Sequence, residues 1–371
     1  MGKSWRFRSH LSRFKERRLT SFQCFYINLP IGAITFAFIM FFYHPTEKSR
    51  AQRFGTGGWR KNLEKFDIYG TIVFLPMIIC LLLALQWGGS KYPWSNGRII
   101  ALLVVFAVLL VVFIGIRFWK GDNATVPPRI LKQRTVAAVA WFAAMIGAAF
   151  FTLVYFLPLW FQAIKGASAV KSGIMNLPLI LSLVIMSIIV GVSITKIGYY
   201  TPFVIAGSVL LSIGAGLVTT FTTTTSSAHW IGYQIIFGFG MGMSMQQTLV
   251  AVQTVLPKAD IPTGTALAMF SQTLGGALFI SVAQNVFTNS LLKNAKAAVP
   301  GLDPAVVLGT GATELQNIIP PEFLGAVQIA YNGALVNTFY VAVATSVLSV
   351  LGAVFFEWKS VKGKKIEMTA A

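Results

Sequence analysis

Apolar runs of roughly the length that crosses a bilayer, about 20 residues, recur along most of this chain, and no other feature restricts its fold as much. They lie near residues 24–43, 67–87, 98–119, 135–162, 172–195, 201–221, 229–256, 263–292 and 334–356, which predicts about nine transmembrane helices. In lipid, every backbone N–H and C=O of a spanning segment has to be satisfied internally, so long uninterrupted apolar runs become helices. The charge content agrees: 11% of the residues are charged and 55% hydrophobic, whereas a soluble domain carries roughly 25% charged residues. The expected fold class is all-α, a polytopic membrane protein.

The connections carry turn and charge signals, as in "HPTEKSRAQRFGTGGWRKNLEKFD", "GGSKYPWSNG", "RFWKGDNATVPPRILKQR" and "PKADIPTG". The segment from Lys293 to Asn332, with Pro300, Pro304, Pro320 and Pro321, reads as a long polar loop holding one short interfacial helix. Basic residues resist translocation. Lys48 to Lys65, Arg117 to Arg134 and Lys359 to Lys365 all fall on one side of the predicted threading, which makes that side cytosolic and the long loop exterior. The sequon Asn123-Ala124-Thr125 then lies inside and stays unglycosylated. The net charge of +19 is explained by these loops; no RNA- or DNA-binding motif accompanies it, so the bilayer is a partner and nucleic acid is not. Cys24 and Cys80 fall in predicted spans as small buried hydrophobes, with no disulfide framework or zinc spacing. No cofactor is implied.

One conflict stands out. An odd number of spans with a cytosolic C-terminus requires an exterior N-terminus, yet the leader "MGKSWRFRSHLSRFKERR" is strongly basic and should stay inside. A cleavable signal peptide is not the explanation, because the run from Cys24 to Tyr43 is long and no small-residue cleavage site follows it.

"CFYINLPIG" resembles the start of the sixth span in the fourteen-span drug:proton antiporter branch of the major facilitator superfamily, the type of fungal efflux pumps. In the order that branch implies, the chain also carries "LALQWGGSKYPW", "VPPRILKQRT", "YFLPLWFQAIKGASAVKSGIMNLP", "TKIGYYTPF", "GFGMGMSMQQTLVAVQ" and "GTALAMFSQTLGGALFISVAQNVF". The resemblance implies a major-facilitator-type helical bundle divided into four parts. Residues 1–22 are a leader outside the fold, 23–66 one span of the N-terminal lobe with a cytosolic loop, 67–134 two extra central spans, and 135–371 the six-helix C-terminal lobe. It further implies an N-terminally truncated chain, since the Gly/Asp/Arg-Arg gating loop, the fourth-span Arg and the fifth-span Gly-Pro motif of such pumps are not in this sequence. The implied function is proton-coupled export of drugs or toxic small amphiphiles by alternating access, at the plasma membrane, with lipophilic or amphiphilic molecules and protons as partners.

Candidate site residues are neutral, because acidic residues fall in loops or at span ends. Gln246 and Gln253 lie seven apart on one helical face with Gln247 alongside. They either line a central cavity or serve as interhelical hydrogen-bonding groups. Gln272 and Asn285 occupy the following span; Gln272 shares a face with Gly275 and Gly276. Tyr155, Trp160 and Gln162 cluster near the exterior end of their span, as an aromatic interface belt by default or as a lipophilic substrate wall. Pro158 and Pro178 are expected to interrupt their helices near the pathway. Gly238 and Gly242 belong to a G-x-G-x-G run that serves helix packing or flexing, since no strand precedes it as a dinucleotide loop requires. Lys196 and Gly198 sit in "TKIGYYTP", where the C-terminal lobe would repeat its gating loop without the Asp and paired Arg.

Two other classes stay open. A membrane-embedded acyltransferase-like enzyme needs a nucleophile or acid–base constellation, and His10, His44 and His229 stand apart from any. A non-transporting scaffold or truncated pseudo-transporter is compatible with the missing motifs. No ATP-binding loop is present.

Overall fold

The computed structural model describes residues 28–42, 67–89, 91–120, 127–298, 312–315 and 319–362. Within these, regular structure is entirely helical; extended backbone pairs only in the isolated bridges Gly88–Tyr92 and Tyr199–Ser360. The basic leader, Cys24, the cations Lys48 to Lys65 and the sequon at Asn123 lie outside the described residues.

The chain divides into two units, Met1–Phe66 and Asp67–Ala371. In the first, α1 (Asn28–Phe42) is an apolar helix of 15 residues. Pro30 lies within this helix as described, and the helix runs on past it to Phe42. Residues 24–27 and 43 of the expected first span lie outside the described residues.

The second unit contains eight helical segments long and apolar enough to cross a membrane. It opens with a helical hairpin, α2 (Ile68–Trp87) and α3 (Gly97–Lys120). Asp67 caps α2 by accepting from the Gly70 N–H at 2.9 Å and also takes Lys120 Nζ at 2.9 Å, which ties the start of α2 to the end of α3. The short turn between them closes on Gly89, whose φ of +74° suits a residue without Cβ. Free Cys80 is half-buried in α2.

After a single turn, α4 (Pro128–Leu131), six long elements form the rest: α5 (Arg134–Lys165), α6 (Ala169–Met175) leading into α7 (Leu177–Ile197), α8 (Thr201–Val218), α9 (Ser227–Val255), α10 (Ile261–Ala298) and α11 (Pro321–Val354). α5 packs on α10 and α11, α9 lies on α7 and α8, and the α8–α11 and α5–α9 contacts join the two groups. Apolar side chains gain nothing by leaving hydrocarbon for each other, so membrane helices associate through close packing at small residues. That is how this bundle is built. A Cβ at Gly147 of α5 would meet the Gln272 carbonyl of α10, and one at Gly275 would meet the Ala144 carbonyl of α5. The glycine run of α9 divides its work: Gly238 and Gly242 abut the α7 backbone, Gly240 the α8 backbone at Leu211. Several buried hydroxyls are satisfied inside their own helices, as Ser244 Oγ to Gly240 O at 2.8 Å and Thr338 Oγ1 to Ala334 O at 2.8 Å.

Two sequence-based boundaries need correction. The loop expected from Lys293 to Asn332 is helical at both ends: α10 continues to Ala298, and α11 begins at Pro321, well before residue 334. Pro321 is pre-organised for a first helical turn, and the polar residues that suggested a loop are paired with neighbouring helices. Asn294 Nδ2 donates to Ala330 O at 3.2 Å, and Asn332 bonds in both directions as described below. Second, the span expected over 172–195 is interrupted at Asn176, between α6 and α7. Pro178 lies in the first turn of α7, so it marks the restart of a helix and not an interior kink.

Candidate functional site

The amides of α9 differ in burial. Gln247 is 1% exposed, and its Oε1 has no hydrogen-bond partner among the described residues. Gln246 and Gln253 are half-buried, on a stripe with Met245, Leu249 and Leu256 that the unit itself leaves partly open. On α5, Thr152 is fully buried with an equally unpartnered hydroxyl. Sequence reasoning passed over it because a single Thr in an apolar helix ordinarily bonds its own backbone.

Asn285 and Gln162 have structural partners. Asn285 Nδ2 donates to Leu85 O of α2 at 2.8 Å and to Ser281 O at 3.0 Å, holding the α2–α3 hairpin against α10 together with the Phe74–Phe270 ring contact. Gln272 is half-buried at the α5–α10 crossing, where its backbone carbonyl faces Gly147. Gln162 Nε2 donates to Ser172 Oγ at 2.9 Å, linking the end of α5 to α6.

Trp160 corrects the interface-belt expectation: it is fully buried. Its Nε1 donates to Asn332 Oδ1 at 2.7 Å, while Asn332 Nδ2 donates to Phe221 O at 3.0 Å, so one asparagine of α11 joins α5 to the turn after α8. Phe221 and Phe161 pack on the indole at 4.6 and 5.3 Å between centroids, and Trp230 closes on Phe161 at 5.0 Å. Lys165 Nζ lies 5.4 Å over the same indole and donates to Thr223 O at 3.0 Å. Tyr155, by contrast, is half-exposed. Pro158 is inside α5, which runs unbroken past it. Asn332, Gln234 and Asn176 were missed in the sequence. Gln234 Nε2 donates to Met175 O at 3.1 Å beside the α6–α7 break, and Gln234 Oε1 and Asn176 Oδ1 are buried without described partners.

The opposite, basic end is fastened differently. Gly198 ends α7 with φ +89° and its N–H bonded to Ile194 O at 2.8 Å, a left-handed cap that glycine adopts without strain. Its own carbonyl accepts from the Val361 N–H at 2.9 Å, Tyr199 pairs with Ser360, and Tyr200 Oη donates to Glu357 O at 2.7 Å. The residues after α11 thus strap the turn that holds "TKIGYYTP". Phe356 is buried beneath the strap, against Phe142 and Tyr200. Burial, with the nearby Glu357 charge, pushes the Tyr200 phenol up from its ordinary value. Lys196 is exposed and makes no ion pair among the described residues. Nearby in sequence to α5, Arg129 grips Asp260 through two bonds of 2.9 and 2.8 Å, joining α4 to the start of α10. Among the described residues no acidic side chain lies in the middle of a spanning helix; Asp67, Asp260, Glu314, Glu322 and Glu357 are at ends or in connections.

The comparisons with known proteins agree with this architecture. The family described as Major Facilitator Superfamily matches residues 19–280. "MFS-type efflux pump MFS1" of Arthroderma benhamiae is 61% identical over 349 residues, covering 94% of this chain and 64% of the pump. "Efflux pump roqT" of Penicillium rubens is 50% identical, covering 91% of this chain and 62% of that protein, and "MFS-type transporter phomT" of Diaporthe leptostromiformis is 49% identical, covering 95% and 60%. This chain therefore spans under two thirds of the length of each of these relatives. Membership in a family of carriers sets the acyltransferase-like reading aside. A helix-only membrane bundle, small-residue crossings and a family match over more than half its residues lead to one conclusion: the chain belongs to the Major Facilitator Superfamily.

Proposed function

We propose that this chain forms the C-terminal lobe, two extra central spans and one N-terminal-lobe span of a fourteen-span, proton-coupled exporter of small amphiphiles, working at the plasma membrane. The observation that carries the reading is 61% identity, across 94% of the chain, to a protein named an efflux pump. In this reading α9 presents the wall of a midplane cavity, with Gln246, Gln247 and Gln253 offering amides to a polar group on an otherwise lipophilic molecule. Thr152 on α5 adds a hydroxyl. Gln272 and the half-exposed Tyr155 extend the wall, whereas Asn285, Trp160 and Gln162 hold helices together and shape it indirectly.

Alternating access rocks one lobe against another. The glycine crossings of α9 would keep this lobe moving as one body, and the strapped Gly198 turn would form its basic-end rim. Proton coupling is assigned to the partner lobe, because the described spans carry no carboxylate at their centres.

The test is efflux of a fluorescent amphiphile from proteoliposomes under an imposed proton gradient, for this chain and for a version joined to five N-terminal spans of an efflux-pump relative, called the restored form. Gradient-dependent efflux by the restored form, reduced by Gln247→Leu, is expected. Efflux that persists after the gradient is collapsed would refute coupling, and equal efflux by both forms would refute the need for a second lobe.

A further inference from the structure

An open-sided groove of about 380 Å³ lies between the first two turns of α5 and the end of α11, at the basic end of the bundle. Its size is within the roughly 300–1,000 Å³ of small-molecule sites. Ala137, Trp141, Leu351, Gly352 and Phe355 make its apolar walls, and Arg134 stands at its mouth. The walls are fixed. Trp141 Nε1 donates to Leu348 O at 3.0 Å, which pins the indole across the two helices. Gly352 leaves the room this needs: a Cβ there would come within 2.9 Å of Trp141 and 3.1 Å of Phe142.

The cation is not spent. Arg134 is exposed, and its guanidinium makes one contact among the described residues, 5.6 Å over the Phe355 ring, with no carboxylate on it. Its hydrogen-bond donors remain available, in a fork suited to phosphate or carboxylate. Leu351 and Phe355 are both more than half exposed, so the apolar part opens sideways, as hydrocarbon chains approach. An apolar trough ended by a guanidinium with no acidic partner among the described residues, at the helix ends that carry the basic loops, matches one class of molecule in both halves.

We propose that this groove binds an anionic phospholipid of the leaflet facing the basic loops, with an acyl chain along Trp141 and Leu351 and the headgroup on Arg134. A zwitterionic lipid fits the trough but gains less from the cation; a sterol has no anionic group for it; free phosphate has no use for the trough. The site also adjoins the strap. Phe355 is a groove wall, while Phe356 and Glu357, the next two residues, dock on Tyr200 and the α7–α8 turn. A bound lipid therefore holds the strap's root against the bundle.

The experiment is native mass spectrometry of the full chain released from nanodiscs of equal phosphatidylserine and phosphatidylcholine. The wild type should retain phosphatidylserine about five-fold over phosphatidylcholine, the preference one basic residue gives at an anionic surface. Arg134→Gln should abolish the preference while retaining some lipid, Arg134→Lys should keep part of it, and Ala137→Phe, at an exposed position, should reduce retention of both lipids. Thermal unfolding without added lipid monitors folding of each variant, and Leu351→Gln repeats the blocking test if Ala137→Phe is unfolded. Unchanged preference in Arg134→Gln, unchanged retention in folded Ala137→Phe and Leu351→Gln, selective retention of ergosterol when it is added, or displacement of the lipid by millimolar inorganic phosphate would each overturn the assignment.

Discussion

Replacing Asn332 by alanine tests whether the first turns of α11 are held in the bundle by one polar side chain. Asn332 Oδ1 accepts from Trp160 Nε1 at 2.7 Å, and its Nδ2 donates to Phe221 O at 3.0 Å. Hydrogen bonds between membrane helices average only about 0.6 kcal/mol, because the unfolded chain in lipid finds other partners. This one should exceed the average. Trp160 is fully buried, and the substitution leaves its N–H without an acceptor, which costs about 1–3 kcal/mol. We expect Asn332→Ala to destabilise the bundle by about 2 kcal/mol. Trp160→Phe removes the donor, and the double variant should show a coupling near 1 kcal/mol, since the pair is lost only once. Equilibrium unfolding in mixed micelles, followed by far-ultraviolet circular dichroism to avoid the altered tryptophan signal, measures all four forms. Additivity within about 0.3 kcal/mol, the behaviour of independent sites, would refute a direct bond and with it the account of why α11 starts at Pro321.

Three further outcomes are expected. Gly275→Leu drives a side chain into the Ala144 carbonyl and should destabilise by several kcal/mol in the same assay, or prevent folding, whereas Gly216→Leu, with open space around it, should be nearly neutral. The raised Tyr200 pKa means the neutral phenol is the form favoured by folding, so its contribution is complete below about pH 10, the unfolded value, and is lost above it; wild-type stability should fall more steeply than that of Tyr200→Phe as pH rises past 10. Gln247→Leu should leave thermal stability unchanged or raised, because it removes a buried oxygen with no described partner, while lowering efflux by the restored transporter; a stability loss would show that Gln247 bridges helices instead.

The spans were legible because an apolar run long enough to cross a bilayer has little other use, and the glycine run of α9 was legible because a helix with no flanking strand has packing as its main use for glycine. Other features were hidden for physical reasons. Asn332 and Gln328 within a proline-bounded segment look like loop, since sequence alone does not display the indole and carbonyl that satisfy Asn332. Trp160 sits at the depth where a belt residue would, and only the three-dimensional placement of Phe221 and Asn332 around it distinguishes a buried anchor from a lipid-facing one. The strap after α11 escaped notice because its bonds are largely to backbone carbonyls, which any sequence supplies.

The polar side chains of the second unit fall into two groups, and the division bears on where a ligand acts. Asn285, Asn332, Gln162 and Gln234 each donate across helices or to a helix end, although Asn285 Oδ1 and Gln234 Oε1 stay buried without a partner among the described residues. Gln247 and Thr152 are deeply buried, make no such side-chain bond, and keep an oxygen without a partner among the described residues. In an apolar medium such an orphan costs about 1–3 kcal/mol, and a bundle packed so closely at its glycines had leucine available at both positions. Polar atoms retained at that cost make sense where a second lobe, water or a transported molecule supplies the missing hydrogen bond, and the partly open stripe of Gln246 and Gln253 beside Gln247 gives such a partner a way to reach α9.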